Sequence, residues 1–423
     1  MKKFFKALTI FFAIIFGLIL TLCTYGFYNL PSKYVMTSAP CEIYINKYLK
    51  VENSINAFAS NKVKLVNSSN ESYSGAFKES SKKQNILFLN FIPIKQVDVN
   101  YSDEQTVFPC GIPFGVKIFT QGVLVVGTSE VKSINGLISP ARNSGIKKGD
   151  VILNVDKKSI NCNEDLFKVV ENCAGAVLNF EILRNNLKFN VDVEPVKDVG
   201  SSTYKLGAWV RDSSAGIGTL TFHNPETNIF GGLGHGICDI DTGDLLPLSH
   251  GDIVKASISG IIKGRKGVPG ELKGYFIETE SIGSLLKNTN YGVYGTLKDT
   301  IVETQPIKVA PKQDIKIGPA QLATTIDGVT PKYYSINIQD VNYNESTPCK
   351  NMVVKITDDS LLSKTGGIIQ GMSGSPIIQN GKLIGAITHV FVNDPTKGYA
   401  IFAENMVYNS ELCVNNNEFK KAS

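Results

Sequence analysis

From Ala7 to Tyr28 the chain carries no charged residue and is apolar almost throughout. As a helix rising about 1.5 Å per residue this run spans roughly 33 Å, one bilayer hydrocarbon core. Beyond it the apolar stretches are short and split by glycine, and they alternate with strand rather than helix period. Gly216-Ile217-Gly218-Thr219-Leu220-Thr221-Phe222 is one such strand. Ile377-Ile378-Gln379-Asn380-Gly381-Lys382-Leu383-Ile384-Gly385 reads as a β-hairpin, with Asn-Gly at the turn. Asn163 to Val170 is the clearest helical segment. Between Asn29 and Asp103 the pattern is polar and irregular, with Asn67-Ser68-Ser69-Asn70-Glu71-Ser72 at its centre and a strand-like run, Asn85-Ile86-Leu87-Phe88-Leu89. This stretch reads as a partly ordered spacer.

A compact module starts near Val107. It runs through Pro113-Phe114-Gly115-Val116-Lys117-Ile118, Gly122-Val123-Leu124-Val125-Val126 and Ser139-Pro140-Ala141-Arg142-Asn143-Ser144-Gly145-Ile146-Lys147-Lys148-Gly149-Asp150-Val151-Ile152, and a strand Val177 to Arg184 leads towards Pro195. The succession resembles a bacterial PDZ domain, in which Pro-Ala…Gly-Ile-Lys-x-Gly-Asp-x-Ile is a fairly specific signature. The resemblance implies that the module binds an extended peptide along a sheet edge, with Phe114, Gly115 and Val116 cradling its terminal carboxylate by backbone N–H groups. A plain spacer, its groove empty or filled by its own chain, is an equal alternative.

Length and composition leave room for two cores and a targeting segment: 423 residues, 43% of them hydrophobic. Lys2, Lys3 and Lys6 supply part of the net charge of +5 and precede the apolar run. Positive charge before such a run predicts a retained signal-anchor with the bulk of the chain exported. Cleavage is disfavoured by Pro40 after Thr37-Ser38-Ala39, and Leu22 is too large for a lipoprotein site before Cys23. No basic stretch interleaved with aromatics points to nucleic acid. The eight cysteines are scattered rather than regularly spaced, so free or buried thiols are expected, and no His/Cys spacing suggests a metal or cofactor.

Two glycine-rich motifs carry the candidate chemistry: Gly371-Met372-Ser373-Gly374-Ser375-Pro376 before the hairpin, and Gly234-His235-Gly236 far upstream. A serine in such a turn exposes Oγ while backbone N–H groups face a developing oxyanion, as in two-barrel, chymotrypsin-like proteases. Glycines beside His235 remove the steric cover that a proton-shuttling imidazole must lack. His223 and His250 read as surface or turn residues, and His389 as a sheet residue or part of a substrate cleft.

The strings Gly232-Leu233-Gly234-His235-Gly236-Ile237-Cys238-Asp239, Lys364-Thr365-Gly366-Gly367-Ile368 to Pro376, and Thr388-His389-Val390-Phe391-Val392-Asn393-Asp394-Pro395-Thr396 resemble those of the SpoIVB (stage IV sporulation protein B) peptidase family. The resemblance takes in anchor, PDZ module and peptidase domain. It implies a membrane-anchored serine endopeptidase that is secreted from the forespore and faces the space between forespore and mother cell. There it cleaves itself, which releases it, and cleaves a membrane-bound sporulation regulator, triggering processing of the sigma-K precursor. Position by position it implies Ser373 as nucleophile, His235 as base, Asp358 as acid, and the N–H groups of Gly371 and Ser373 as oxyanion hole. Asp359, Asp239 and Asp241 are rival acids, and an Asp-Asp pair before an apolar stretch also suits a helix cap.

The expected fold is mainly β: an N-terminal transmembrane signal-anchor at 1–28, the spacer at 29–106, a PDZ domain at 107–196, a two-barrel serine peptidase domain at 197–415 and a polar tail at 416–423. Its expected partners are the protein substrate, the chain itself, a PDZ ligand peptide and the membrane. Three other readings differ in mechanism or in class. A quality-control protease of the HtrA type has its protease before the PDZ domain. A Ser-Lys dyad through Lys364 leaves the His235 motif unexplained. A PDZ adaptor with an inactive protease-like domain is not an enzyme at all.

Overall fold

The computed structural model describes residues 2–36, 44–46, 48–52, 82–185, 187–299, 305–344 and 346–421. The N-terminal apolar run forms helix α1 (Lys2–Asn29), long and apolar enough to cross a membrane, with its large side chains exposed. Behind it, the described part of 29–106 forms a five-stranded sheet from Lys33–Met36, Tyr44–Asn46, Leu49–Val51, Lys82–Phe88 and Ile92–Tyr101. Leu30, Tyr34, Val51, Ile86, Val97 and Val99 make a small core of their own there. The Asn67–Ser72 stretch lies outside the described residues.

The rest is built on two six-stranded β-barrels. The first closes through β1 (Pro113–Thr128), β5 (Ala208–His223), β6 (Ile229–Gly232), β7 (Leu248–Ile262), β8 (Glu271–Thr289) and β9 (Gly292–Leu297). The ring runs β1-β7-β8-β9-β6-β5 and returns to β1. Phe114, Val116, Ile118, Leu220, Phe230, Ile253, Leu285 and Val293 fill it. The second is the closed barrel of β10 (Gly318–Thr324), β11 (Lys332–Val341), β12 (Met352–Ile356), β13 (Pro376–Gln379), β14 (Lys382–Val390) and β15 (Lys397–Phe402). Its core gathers Leu322, Ile336, Ile338, Val354, Ile356, Ile377, Ile387 and Phe402, and a fully buried aliphatic or aromatic side chain of this kind contributes about 1.5–3 kcal/mol. The hairpin β13–β14 turns at Asn380 and Gly381 with φ of 52° and 74°, the paired left-handed angles of a tight turn that twists with its strands.

The PDZ module is not strung ahead of the barrels but grows out of the first one. Strand β1 pairs over Pro113–Phe119 with the barrel half of β5, and over Leu124–Thr128 with the start of β5, where the sheet continues into β2 (Val151–Val155), β3 (Leu178–Arg184) and β4 (Leu187–Val193). Helix α2 (Asn163–Glu171) carries Glu164 and Asp165 in its first turn, where they complement the helix dipole, and buries Leu166 and Val170, one turn apart, over Val123, Val125, Ile152, Phe180 and Ile182. The barrel and the PDZ sheet therefore share β1 and β5. Strand pairing therefore crosses the boundary expected at 197: 113–119 ladder with barrel strands, and 208–211 ladder with the PDZ half of β1.

That sharing corrects the expected carboxylate cradle. Phe114, Gly115 and Val116 lie in the barrel half of β1, paired with β5 on one side and β7 on the other, with Phe114 and Val116 buried in the barrel core. A Cβ on Gly115 would meet the Phe276 ring and Val254. Backbone that is already laddered on both edges has no N–H groups left for a peptide carboxylate. The C-terminal helix runs Ala403–Lys421, into the expected polar tail, and packs Ala403, Met406 and Val407 against Phe222, Ile229, Tyr294 and Ile401.

Candidate active site

The two motifs meet where the barrels touch. Strand β6 ends at Gly232, and Leu233 and Gly234 follow with φ of 63° and 70°. A left-handed leucine is strained backbone of the kind that persists where surroundings over-determine it. A Cβ on Gly234 would lie 2.9 Å from Ile401 and 3.0 Å from Thr388, so the turn before His235 lies directly on the second barrel. His235 Nδ1 is 2.9 Å from the Gly236 carbonyl oxygen. A carbonyl only accepts, so Nδ1 carries the proton and Nε2 is left with a lone pair, the form a general base needs. Burial holds the imidazole below its usual titration range, partly offset by the Gly236 carbonyl.

The serine turn is gripped by its carbonyls. Thr219 of β5 donates Oγ1 to Gly371 O at 2.8 Å and its N–H to Ser373 O at 3.2 Å, and Thr221 Oγ1 donates to Gly374 O at 2.7 Å. Met372, Gly374 and Ser375 spend their N–H groups on Ile369, Ile387 and Met372. Among the described residues the N–H groups of Gly371 and Ser373 have no acceptor. Two unspent donors flanking a serine suit a developing oxyanion. Ser373 Oγ itself donates to Thr388 O at 2.7 Å, and no hydrogen bond joins it to His235. The hydroxyl must turn off Thr388 before His235 takes its proton.

Asp358 requires a correction. It is the N-cap of helix α3 (Asp359–Thr365), accepting Leu361 N–H at 3.0 Å and the Ser360 hydroxyl at 2.5 Å on one oxygen, and Ser335 N–H at 3.4 Å on the other. These donors, led by Ser360, hold its carboxyl below the usual range. No hydrogen bond links it to His235, because the side chain is spent on the helix it starts. Asp359 is exposed in the first turn of the same helix, and Lys364 is exposed in its last. Asp239 and Asp241 instead take Arg211 of β5, with Asp239 buried and also accepting the N–H groups of Asp241 and Thr242.

His389, expected in the sheet or the substrate cleft, lies beside the site, and two threonines there carried no motif. His389 stands with its ring 4.9 Å from that of His235, and its pKa is lowered to about 4 by burial, the His235 ring and Lys350. Thr219 and Thr221 are ordinary strand residues in sequence. Only their alternation placed them on one face. His223 is buried rather than at the surface, stacked on Phe108, whereas exposed His250 stacks on Phe119. Cys23, Cys110, Cys162, Cys173, Cys238, Cys349 and Cys413 are unbridged. Cys41 lies outside the described residues.

Comparison with known proteins places two domains. Residues 202–407 match the SpoIVB peptidase S55 family, and residues 115–194 match the PDZ domain family. Among solved structures, the PDZ domain of the SdrC-like protein from Listeria monocytogenes is 16% identical, over 21% of this chain and 87% of its own, with a TM-score of 0.18. The HtrA-type protease AlgW with decapeptide is 10% identical, over 48% of this chain and 55% of its own, with a TM-score of 0.29. The active form of the Rv3671c protease from M. tuberculosis is 11% identical, over 47% of this chain and 73% of its own, with a TM-score of 0.28.

Proposed function

We propose, from the match of residues 202–407 to the SpoIVB peptidase S55 family and of residues 115–194 to the PDZ domain family, that the chain is a sporulation serine peptidase, a membrane-anchored endopeptidase that cleaves itself and a membrane-bound regulator of sporulation. In this reading it is secreted from the forespore, held by α1 with its catalytic domain in the intermembrane space, and released by its own cut. Its second cleavage triggers sigma-K precursor processing. The observation that carries the peptidase chemistry is the serine turn: a half-buried hydroxyl flanked by two unspent N–H groups, with a Nδ1-protonated histidine on the facing turn.

Ser373 Oγ leaves Thr388 O and gives its proton to His235 Nε2 as it attacks the scissile carbonyl carbon. The carbonyl oxygen, now an oxyanion, takes the N–H groups of Gly371 and Ser373. His235 returns the proton to the departing amine, leaving an acyl-Ser373 ester. Water then gives a proton to the same nitrogen as it attacks the ester, and that proton passes to Ser373 Oγ as the ester bond breaks, releasing the acid product and restoring the free serine and neutral His235. The PDZ module supports a role in presenting substrate peptide, with its groove elsewhere than at 114–116.

The parking of Ser373 on Thr388 also suits an adaptor whose peptidase is inactive, and one experiment separates the two. Fragments of wild type and Ser373→Ala, expressed full length, are mapped by mass spectrometry. The expected result is N-terminal processing in wild type and an intact, folded chain in the mutant. Identical fragments in both would remove Ser373 from the chemistry, and intact chains in both would favour the adaptor.

A further inference from the structure

His235 has no carboxylate partner among the described residues, yet its orientation is specified. The acceptor for Nδ1 is the carbonyl of the next residue, Gly236, so whatever fixes the backbone at 236–237 also fixes the ring. One side chain does this. Asn288, near the end of β8, accepts the N–H of Ile237 on Oδ1 at 2.8 Å. Its Nδ2 donates to Ile237 O at 2.8 Å and to Leu246 O at 3.0 Å. Leu246 N–H also donates to Ile237 O at 3.0 Å, so the two ends of the loop 237–246 are tied to each other and to Asn288. The neighbouring backbone leaves no slack: a Cβ on Gly236 would lie 2.8 Å from Thr289 O. An amide is the one side-chain group of this size that donates twice and accepts once in a plane.

Resting on the serine-peptidase reading, we propose that Asn288 is the positioning residue of the catalytic histidine, acting through the Gly236 carbonyl in the place that a carboxylate holds in a Ser-His-Asp triad. Asn288 touches no reacting atom. It holds Ile237 at both its N–H and its carbonyl, which keeps the Gly236 carbonyl aimed at Nδ1 and Nε2 aimed at the serine side. A carboxylate at 288 keeps the acceptor for Ile237 N–H but faces two carbonyl oxygens with no donor, so an isosteric change breaks the clamp.

The test uses the full chain in detergent and a fluorophosphonate that labels the serine, with rates expressed per folded molecule from near-UV circular dichroism. Wild type labels and Ser373→Ala does not. For Asn288→Asp and Asn288→Ala the labelling rate falls about tenfold to a hundredfold, the scale expected when a catalytic group is misaimed. The acid limb of the pH–rate profile moves up towards that of an ordinary imidazole as the loosened ring gains solvent. A rate and acid limb unchanged per folded molecule overturn the proposal. Variants that do not fold at all overturn it too, since Asn288 is then structural only. If wild type itself fails to label, the peptidase reading has failed and the proposal with it.

Discussion

The serine turn and the histidine turn face each other across the barrel interface but are held by different means. The serine turn combines left-handed glycines at 371 and 374 with carbonyls caught by Thr219 and Thr221 of the first barrel. The histidine turn is held by side chains from elsewhere. Asn288 ties the base of the loop after His235, and Arg211 ties its tip through Asp239 and Asp241. Arg211 lies on β5 where that strand passes from PDZ sheet to barrel, pairing with Leu124 of the PDZ half of β1. Both turns thus depend on contacts that only the folded chain makes; the serine turn adds left-handed glycines of its own, and the histidine turn is tied at the PDZ junction.

The sharpest break of this contrast is Gly374→Ala. Its φ of 94° disfavours any side chain, and a Cβ would stand 2.5 Å from Leu233 N, so both turns shift together. We expect self-cleavage to fall by about a hundredfold with a lower thermal midpoint, checked by gel time course and calorimetry, and a fully active Gly374→Ala would refute the dependence of the serine turn on its left-handed glycine. Next in size is Thr219→Val, which keeps the β-branched shape and loses the Oγ1 bond to Gly371 O. About 1 kcal/mol of stability and a several-fold loss of labelling rate should follow. The smallest effect separates cap from acid at Asp358. Asn is as good an N-cap as Asp, so Asp358→Asn should retain self-cleavage, while Asp358→Ala should cost about 1 kcal/mol in chemical denaturation. Loss of cleavage in Asp358→Asn at unchanged stability would restore it as the acid.

Much of this was legible along the chain. The long N-terminal helix, the Asn380-Gly381 hairpin, helix α2 and the glycine-set Ser373 and His235 each have a local cause: an unbroken apolar run, a turn needing two left-handed residues, one-turn spacing of Leu166 and Val170, and glycine tolerance of unusual φ. The PDZ signature was legible too, but the role of Phe114 to Val116 was not. A strand's sequence shows that it will be paired without showing by what, and here the first half of β1 pairs with barrel strands.

By itself, then, the sequence determined which short segments become strands, which run forms a helix long and apolar enough to cross a membrane, and which serine and histidine stand in glycine-rich turns. Only the tertiary structure decided that the PDZ module shares two strands with the first barrel, that Asp358 caps a helix, and that Asn288 binds the backbone beside the Gly236 carbonyl that takes His235 Nδ1. The physical reason is range. Dihedral preference and hydrophobic period act within a few residues, whereas a hydrogen bond between Ile237 and Asn288 exists only after the barrel has closed.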